Sequence, residues 1–230
     1  MPDRSFSARS TPRGVTLSVN VVLLTARGSE LAVLLASGSS RTRSKDRGML
    51  PADALRQDEM LDDTAARIAR EALGAPPSLL DQAGARGGAR RSTDAPQIAV
   101  TYFGLVPDGA GNPQTGFEWA ALAELPALAA HQRESIDLAV TVVRSQVDQR
   151  PIAFRLLPVA FTLSELQGVY ELLLGRRLHK ASFRRSLHAS ALVEATDEWR
   201  SEGRGRPAQL FRYAPPRRRR QRRGIRFDLL

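Results

Sequence analysis

Phe161-Thr162-Leu163-Ser164-Glu165-Leu166 begins the stretch of sequence that decides the fold, which runs from Leu157 to Tyr213. Apolar residues continue from it at the spacing of a helix: Leu166, Val169, Tyr170 and Leu173. Thr162 or Ser164 can cap the start of this helix, and Gly175 ends it. The stretch therefore opens with one amphipathic helix.

A second helix is predicted from about Lys180 to Ala189, with Phe183 and Leu187 on one face and basic residues elsewhere. Two short runs typical of strands follow, Ala191 to Ala195 and Ala208 to Tyr213. Between them lies a loop rich in Gly and Arg, from Arg200 to Pro207. This succession predicts a winged helix-turn-helix, which places its second helix in the major groove of DNA and its wing against the backbone. A small helical domain with a solvated basic face is the alternative.

Six residues are the candidates for contact with double-stranded DNA: Lys180, Ser182, Arg184 and Arg185 on the second helix, and Arg204 and Arg206 in the wing. The helix residues would read or position the major groove, and the wing arginines would lie on phosphates or in the minor groove. Specific regulators commonly bind two half-sites as symmetric dimers, so we expect a homodimer on an operator.

The net charge is unevenly divided along the chain. Residues 151–230 contain 17 Lys and Arg against 7 Asp and Glu, whereas residues 1–150 contain 17 of each kind, so the whole excess of +10 lies after residue 150. A basic part joined to a neutral part predicts a polyanionic partner for the basic part alone. We therefore divide the chain into a flexible arm (1–13), a first domain (14–150), a winged helix-turn-helix domain (151–214) and a basic, disordered tail (215–230).

Composition excludes several classes of protein. Cys is absent, which excludes disulfides, zinc fingers and thiol nucleophiles and fits a reducing cytoplasm. The sequence has no run of about 18 apolar residues and no signal peptide, so we expect neither membrane insertion nor secretion. The histidines lack the spacing of a metal or catalytic motif: His131, His179 and His188. No metal site and no cofactor are expected.

The first domain mixes strands with two helices, which indicates an α/β or α+β fold. Strands are predicted at Val15 to Ala26, Leu31 to Leu35, Ile98 to Val106 and Phe117 to Trp119. Helices are predicted from Asp58 to Leu73, with acidic residues in its first turns as the helix dipole favours, and from His131 to Gln149. The segment from Ala83 to Pro96 is rich in Gly and Arg and is predicted to be mobile.

Two parts of the chain resemble a known family. Leu50-Pro51-Ala52-Asp53 with Glu59, Arg67, Glu71 and Gly74 resembles a degenerate Nudix box, whose pattern is G-x5-E-x7-R-E-U-x-E-E-x-G-U. Further matches to a Nudix domain end and to the winged helix of the Nudix-related transcriptional regulators are Glu118 to Pro126, His131, Ala153 to Pro158, Phe161 to Leu166 and Gly205 to Arg212. The resemblance covers roughly residues 14–213.

This resemblance implies a Nudix-like α/β/α sandwich followed by a winged helix-turn-helix domain. In that family a Nudix-like sensor controls the DNA-binding domain, which typically represses genes of NAD metabolism and releases DNA when ADP-ribose binds. The chain is therefore expected to be a DNA-binding regulator, and repression is favoured over activation by the resemblance alone.

Two of the three central carboxylates of the box are missing. A Nudix hydrolase holds Mg²⁺ with several carboxylates on one helical face, which positions 68, 71 and 72 share. The family pattern has Glu at all three positions, whereas this chain has Ile68, Glu71 and Ala72. Because Ile68 joins an apolar stripe with Leu61 and Ala65, we expect core residues to fill the former site and predict no hydrolase activity. The remaining matches are interpreted as a vestigial box: Glu59, Arg67 and Glu71.

Ligand binding is expected from the resemblance. Regulators of this family carry an Arg-Asp-Pro-Arg-like segment before the strand that corresponds to Ile98 to Val106. Here Arg90 and Arg91 are the candidates for a diphosphate in that region, because guanidinium groups match phosphate oxygens. An exposed loop is the alternative. Two other functions of the first domain stay open, namely a nucleoside-diphosphate (ADP-ribose) hydrolase with an atypical metal site and a domain that only dimerises.

Overall fold

The computed structural model describes residues 15–37, 48–88, 97–201 and 207–214. Within these residues, an α/β sandwich is followed by a winged helix. The predicted fold class is therefore confirmed. The sandwich elements are β1 (Thr16–Arg27), β2 (Glu30–Ala36), β3 (Ala52–Ala54), α1 (Leu61–Leu73), β4 (Leu79–Gly88), β5 (Gln97–Val106), β6 (Phe117–Ala121) and α2 (Ala130–Gln146). Six predicted features lie outside the described residues: the arm, the tail, Arg90, Arg91, Arg204 and Arg206.

The winged helix follows a short 3-10 helix, Ile152–Leu156. Its elements are β7 (Ala160–Phe161), α3 (Leu163–Leu174), α4 (Lys180–Ser190), β8 (Val193–Arg200) and β9 (Ala208–Tyr213). The three strands form a sheet in the order β7-β9-β8. Among the described residues, no helix is long and apolar enough to cross a membrane.

Strand β1 is the centre of the sandwich because both of its faces are buried. It pairs in parallel with β5 and antiparallel with β2 and β3, within a sheet ordered β4-β5-β1-β2-β6. Val21 shares an apolar cluster with Ala65 and Ile68 of α1. Val22, its neighbour, shares a second cluster with Ile136 of α2. The alternation of side chains along a strand thus places one helix on each face of the sheet.

The second cluster continues into the winged helix. Phe103 of β5 and Ile136 of α2 belong to the same group of buried residues as Phe154, Phe161 and Phe183. The ring of Phe154 lies 5.8 Å from that of Phe161, and edge contacts between such rings add to the apolar burial. The two parts of the chain are therefore packed through one continuous core.

A capping box fixes the start of α3. The Thr162 hydroxyl accepts a hydrogen bond from the Glu165 amide at 3.2 Å, and the Glu165 carboxylate accepts one from the Thr162 amide at 2.6 Å. This arrangement satisfies two amides that a helix start leaves without partners. Of the two predicted caps, Thr162 is the correct one, and Gly175 ends the helix in a left-handed conformation with φ of 66°.

The structure corrects three predicted boundaries. Helix α1 begins at Leu61 rather than Asp58, because Asp58 has a left-handed backbone with φ of 64°. The predicted mobile segment is wrong at its start, since residues up to Gly88 continue β4 and pair with β5. The predicted strand Ala191 to Ala195 instead begins at Val193, because Ala191 takes a φ of 51° that ends α4, and it extends to Arg200.

The segment that enters α1 is held by one guanidinium group. Arg67 donates to both carboxylate oxygens of Glu59, at 2.9 and 3.1 Å, and to the carboxylate of Asp53 at 2.8 Å. The side chains of Arg67 and Glu59 are only 15% and 17% exposed. The hydrogen bond from Arg67 lowers the pKa of Glu59 from 4.5 to about 2, and it also lowers that of Asp53. Because Glu59 precedes α1, this bidentate contact links a loop to the helix rather than two residues of one helix.

The pKa of Glu59 predicts an acid-dependent loss of stability. Because this pKa is lowered, its contribution is fully present above about pH 4.5 and is lost as the pH falls through about 2. We expect the urea midpoint of the wild-type chain to fall more steeply across this range than that of Glu59→Gln. Glu71→Gln is the control, since its exposed carboxylate lies 3.5 Å from the same arginine, and it should keep the wild-type slope. Equal slopes in all three proteins would contradict the assignment.

Candidate nucleic-acid interface and ligand cleft

Helix α4 presents a basic face away from its own core. Phe183 and Leu187 are 1% and 0% exposed, whereas Lys180, Arg184 and Arg185 are exposed. At about 100° per residue, Arg185 lies about 180° from the midpoint of the two buried side chains, and Arg184 flanks it. Arg184 and Arg185 therefore lie on the part of the helix that faces away from the core, whereas Lys180 lies on the side of Phe183 and Leu187 and is exposed because it is the first residue of the helix.

Ser182 differs from the three cations. It is half-buried, and its hydroxyl lies 3.5 Å from Nδ1 of His179, the residue that precedes α4. Ser182 therefore lies in the first turn of α4, where the backbone amides of the helix start are exposed.

The turn between α3 and α4 is fixed by two polar side chains that sequence reasoning missed. The Glu171 carboxylate accepts hydrogen bonds from the Leu178 amide and from the Gln167 side chain, both at 2.9 Å. The Gln167 amide group also donates to the Leu178 carbonyl at 3.0 Å. Burial raises the pKa of Glu171, but the hydrogen bonds from Gln167 and Leu178 outweigh it and leave this pKa below its usual value. The available signal was the spacing of Gln167 and Glu171, which places them on one helical face.

The base of the wing is tied to α3. Arg200, at the end of β8, donates to the Glu165 carboxylate at 2.6 Å and to the Ala160 carbonyl at 3.2 Å. Glu165 is also the acidic member of the capping box, so one carboxylate connects the start of α3 with the wing. The predicted wing residues Arg204 and Arg206 fall between Arg200 and the start of β9, outside the described residues.

The helix of the Nudix-like box carries apolar residues where the box pattern has carboxylates. Ile68 and Ala72 are 4% and 1% exposed and pack in the cluster between α1 and the sheet. The side chain of Glu71 is 60% exposed and lies 3.5 Å from Arg67. We predicted that core residues occupy this face of the helix, and this is confirmed for Ile68 and Ala72. Within the described residues no three His, Cys, Asp or Glu side chains form a group that could hold a metal ion.

A cleft of about 380 Å³ lies where β1, β4 and β5 meet the start of α2. It is lined by Ser18, Asn20, Arg86, Gly87, Gly88, Gln97, Ala99 and His131, so several polar side chains face it. Gly88 and Gln97 are paired across β4 and β5, so the chain segment that carries Arg90 and Arg91 leaves and returns at the rim of this cleft. Arg86 also forms an ion pair with Glu134 of α2.

The cleft adjoins an unusual group of buried polar side chains. Asn20 and Thr101 are 6% and 2% exposed, within strands whose buried residues are mostly apolar. Thr101 donates to the Ser135 hydroxyl at 3.3 Å, and Ser135 donates to the carbonyl of His131 at 3.1 Å. Sequence reasoning missed this group, although Asn20 interrupts an apolar strand and was the available signal. Polar groups that converge on a concave surface are typical of ligand sites.

Comparisons with known proteins agree with both parts of the structure. The family model for the NrtR DNA-binding winged helix domain matches residues 153–213. The ADPR-responsive transcriptional repressor NtrR of Acinetobacter baylyi is 31% identical over 206 residues, which cover 86% of this chain and 82% of that protein.

Two solved structures are similar over most of the chain. The Shewanella oneidensis NrtR crystal structure with a 27mer DNA has 29% identity and a TM-score of 0.72, and covers 86% of this chain and 93% of its own. A MutT/nudix family protein from Enterococcus faecalis has 18% identity and a TM-score of 0.67 over 88% and 89% of the two chains, which shows a shared fold. With its Nudix fold followed by a winged helix, the chain belongs to the NrtR family of transcriptional repressors.

Proposed function

We propose that this protein represses transcription by binding operator DNA through α4 and the wing. The observation that carries the proposal is the basic face of α4, where Arg184 and Arg185 are exposed on the side away from the buried Phe183 and Leu187, and Lys180 is exposed in the first turn. A relative with the same two-part fold was crystallised with DNA, which supports this use of the winged helix.

The residues of this interface have different roles in the proposal. Arg184 and Arg185 contact base edges, because an arginine can donate two hydrogen bonds to a guanine. Lys180 and Ser182, in the first turn of α4, contact phosphates and set the register of the helix in the groove. Arg204 and Arg206 extend the contact from the wing to phosphates or the minor groove.

Loss of a base contact should weaken operator binding by a defined amount. We expect Arg184→Ala and Arg185→Ala each to cost about 1–3 kcal/mol in affinity for the operator and to relax the preference at one base pair. Electrophoretic mobility shift with an operator selected from random DNA measures both effects. Arg144→Ala, an exposed arginine on α2, is the control and should bind like the wild-type chain. Unchanged binding of both α4 variants would refute this assignment.

We also propose that the sandwich senses ADP-ribose in the cleft beside Arg86. The Acinetobacter baylyi relative is an ADPR-responsive repressor, which supports this choice of ligand. Arg86, with Arg90 and Arg91 from the segment that starts and ends at the rim, supplies cations for a diphosphate. Asn20 and His131 supply polar groups for the sugar and base.

Ligand binding should raise the stability of the folded chain. We expect ADP-ribose at about 100 times its Kd to add about 2.7 kcal/mol to the free energy of unfolding, visible as a thermal shift. Arg86→Ala should weaken the response, and Arg144→Ala should not. If ADP-ribose, NAD and related nucleotides produce no shift, the alternative that the sandwich only dimerises replaces the sensor.

The sandwich is proposed to have no hydrolase activity. The buried Ile68 and Ala72 replace carboxylates that a Nudix hydrolase needs for Mg²⁺, and Glu71 alone cannot replace them. The hydrolase alternative predicts formation of AMP from ADP-ribose with Mg²⁺ or Mn²⁺, and loss of that activity in Glu71→Gln. We expect no turnover in either protein.

Restoring a box carboxylate should damage the fold rather than create an enzyme. Ile68→Glu places a charge at a site that is 4% exposed, so we expect a loss of about 2 kcal/mol or more in the free energy of unfolding. Arg70→Glu, on the exposed side of the same helix, is the control and should cost less than about 1 kcal/mol. Urea unfolding measures both, and wild-type stability of Ile68→Glu would show that the site is still open.

We also propose a domain boundary, an oligomeric state and a cellular context for this protein. The division at residue 150 is supported by the charge of the two parts and by the family match that starts at residue 153. A symmetric homodimer on two half-sites is the expected form on DNA. We place the protein in the cytoplasm and its target genes in NAD metabolism, in agreement with an ADP-ribose effector.

A further inference from the structure

Strand β4 connects the ligand cleft with the winged helix. Its last residues, Gly87 and Gly88, line the cleft, and Arg86 beside them pairs with Glu134 at the start of α2. The beginning of the strand contacts the chain that leads into the winged helix. Over the ten residues of β4 these two ends are separated by about 30 Å, at about 3.3 Å per residue.

The contacts at the beginning of β4 are short and polar. The Asp81 carboxylate accepts a hydrogen bond from Arg150 at 2.6 Å, and the same guanidinium nitrogen donates to the Gln146 side chain at 2.8 Å. Ser78, just before β4, donates at 2.5 Å to the carbonyl of Arg155, in the 3-10 helix that precedes the winged helix. Arg150 thus joins β4 to the end of α2 at the point where the chain enters the winged helix.

A β-bulge in β4 places side chains from both ends of the strand on the face that α2 covers. The register with β5 shifts between Gln82 and Gly84, so that Ala83 is an extra residue. Asp81 and Arg86 are five positions apart and would lie on opposite faces of a regular strand. With the extra residue, both acquire partners on the face covered by α2. Their ion pairs with Arg150 and Glu134 are the result.

Open space surrounds the joint between the two parts. A groove of about 530 Å³ is bordered by Ser78 and Asp108 on the sandwich side and by Arg155 and Tyr213 on the other. A second groove of about 550 Å³ lies between the β1–β2 turn at Gly28 and helix α3. Both grooves are open to solvent, so neither is filled by protein that would block a small change in the angle of the winged helix at this joint.

We propose that the Asp81–Arg150 contact couples ligand binding in the cleft to the orientation of the winged helix. The inference rests on the proposed sensor function and specifies how that site regulates DNA binding. A diphosphate that engages Arg86 competes with its Glu134 partner and changes the position of β4 against α2. The displaced strand moves Asp81 relative to Arg150, and the winged helix tilts into the adjoining grooves. Asp81 and Arg150 act as positioning residues, since neither lines the ligand cleft.

The measurement is a coupling ratio, the operator Kd with saturating ADP-ribose divided by the Kd without it. Coupling of this kind typically changes affinity about 5–150-fold, and we expect a ratio in this range for the wild-type chain. Asp81→Asn should reduce the ratio by about two- to fivefold, the range of a half-exposed ion pair. Its operator Kd without ligand and its ADP-ribose Kd without DNA should both stay close to wild type.

Two comparisons separate coupling from a general structural effect. Asp137→Asn breaks the exposed Arg133–Asp137 pair on α2 and should keep the wild-type ratio. The exchange of Asp81→Arg with Arg150→Asp should restore at least part of the ratio, because it restores the ion pair. By reciprocity, operator DNA should change ADP-ribose affinity by the same ratio in each variant.

The outcomes distinguish this inference from the proposed function. A wild-type ratio in Asp81→Asn, or an equal loss in Asp137→Asn, overturns the assignment of Asp81 and Arg150 while leaving the sensor intact. A ratio of 1 in the wild-type chain, with ADP-ribose bound, refutes the sensor and this inference together. A reduced ratio in Asp81→Asn alone supports both.

Discussion

The apolar core that runs from the sandwich into the winged helix is the constraint on which the other features depend. Phe103 of the central sheet and Phe183 of the basic helix belong to the same buried cluster. Burial of one such side chain contributes about 1.5–3 kcal/mol, so the core holds the basic helix against the sandwich more strongly than a half-exposed ion pair does. A change in the packing of the sandwich can therefore alter the orientation of the basic face.

The Nudix-like box keeps its local structure while its central helix face is part of the apolar core. Arg67 still organises the loop before α1 by binding Glu59 and Asp53, so the local structure of the box is retained. The helix face that would hold Mg²⁺ is occupied by Ile68 and Ala72, which stabilise the sheet instead. A salt bridge and a core contact need only part of the box pattern, so both are present although two of the three central carboxylates are not.

The polar contacts between the sandwich and the chain that leads into the winged helix contribute differently from the apolar core. The contacts at Asp81 and Ser78 lie on the edge of the joint, beside open grooves. A half-exposed ion pair contributes little to stability, about 1 kcal/mol or less, yet it restricts direction. Weak polar contacts beside empty space suit a joint that changes angle, whereas the shared core keeps the two parts from separating. This division of roles agrees with the coupling proposed between the cleft and the winged helix.

The sequence by itself determined the four helices, the position of the basic part and the loss of two box carboxylates. These are local properties, since helical spacing, caps such as Thr162 and the count of charges need no knowledge of distant residues. Only the tertiary structure decided that Ala83 to Gly88 form a strand, because that strand depends on pairing with β5. The cleft around Arg86 and the contact between Asp81 and Arg150, 69 residues apart, likewise arise from packing of β4 against α2. No local pattern encodes such contacts, since they form only when the sheet and helix are assembled.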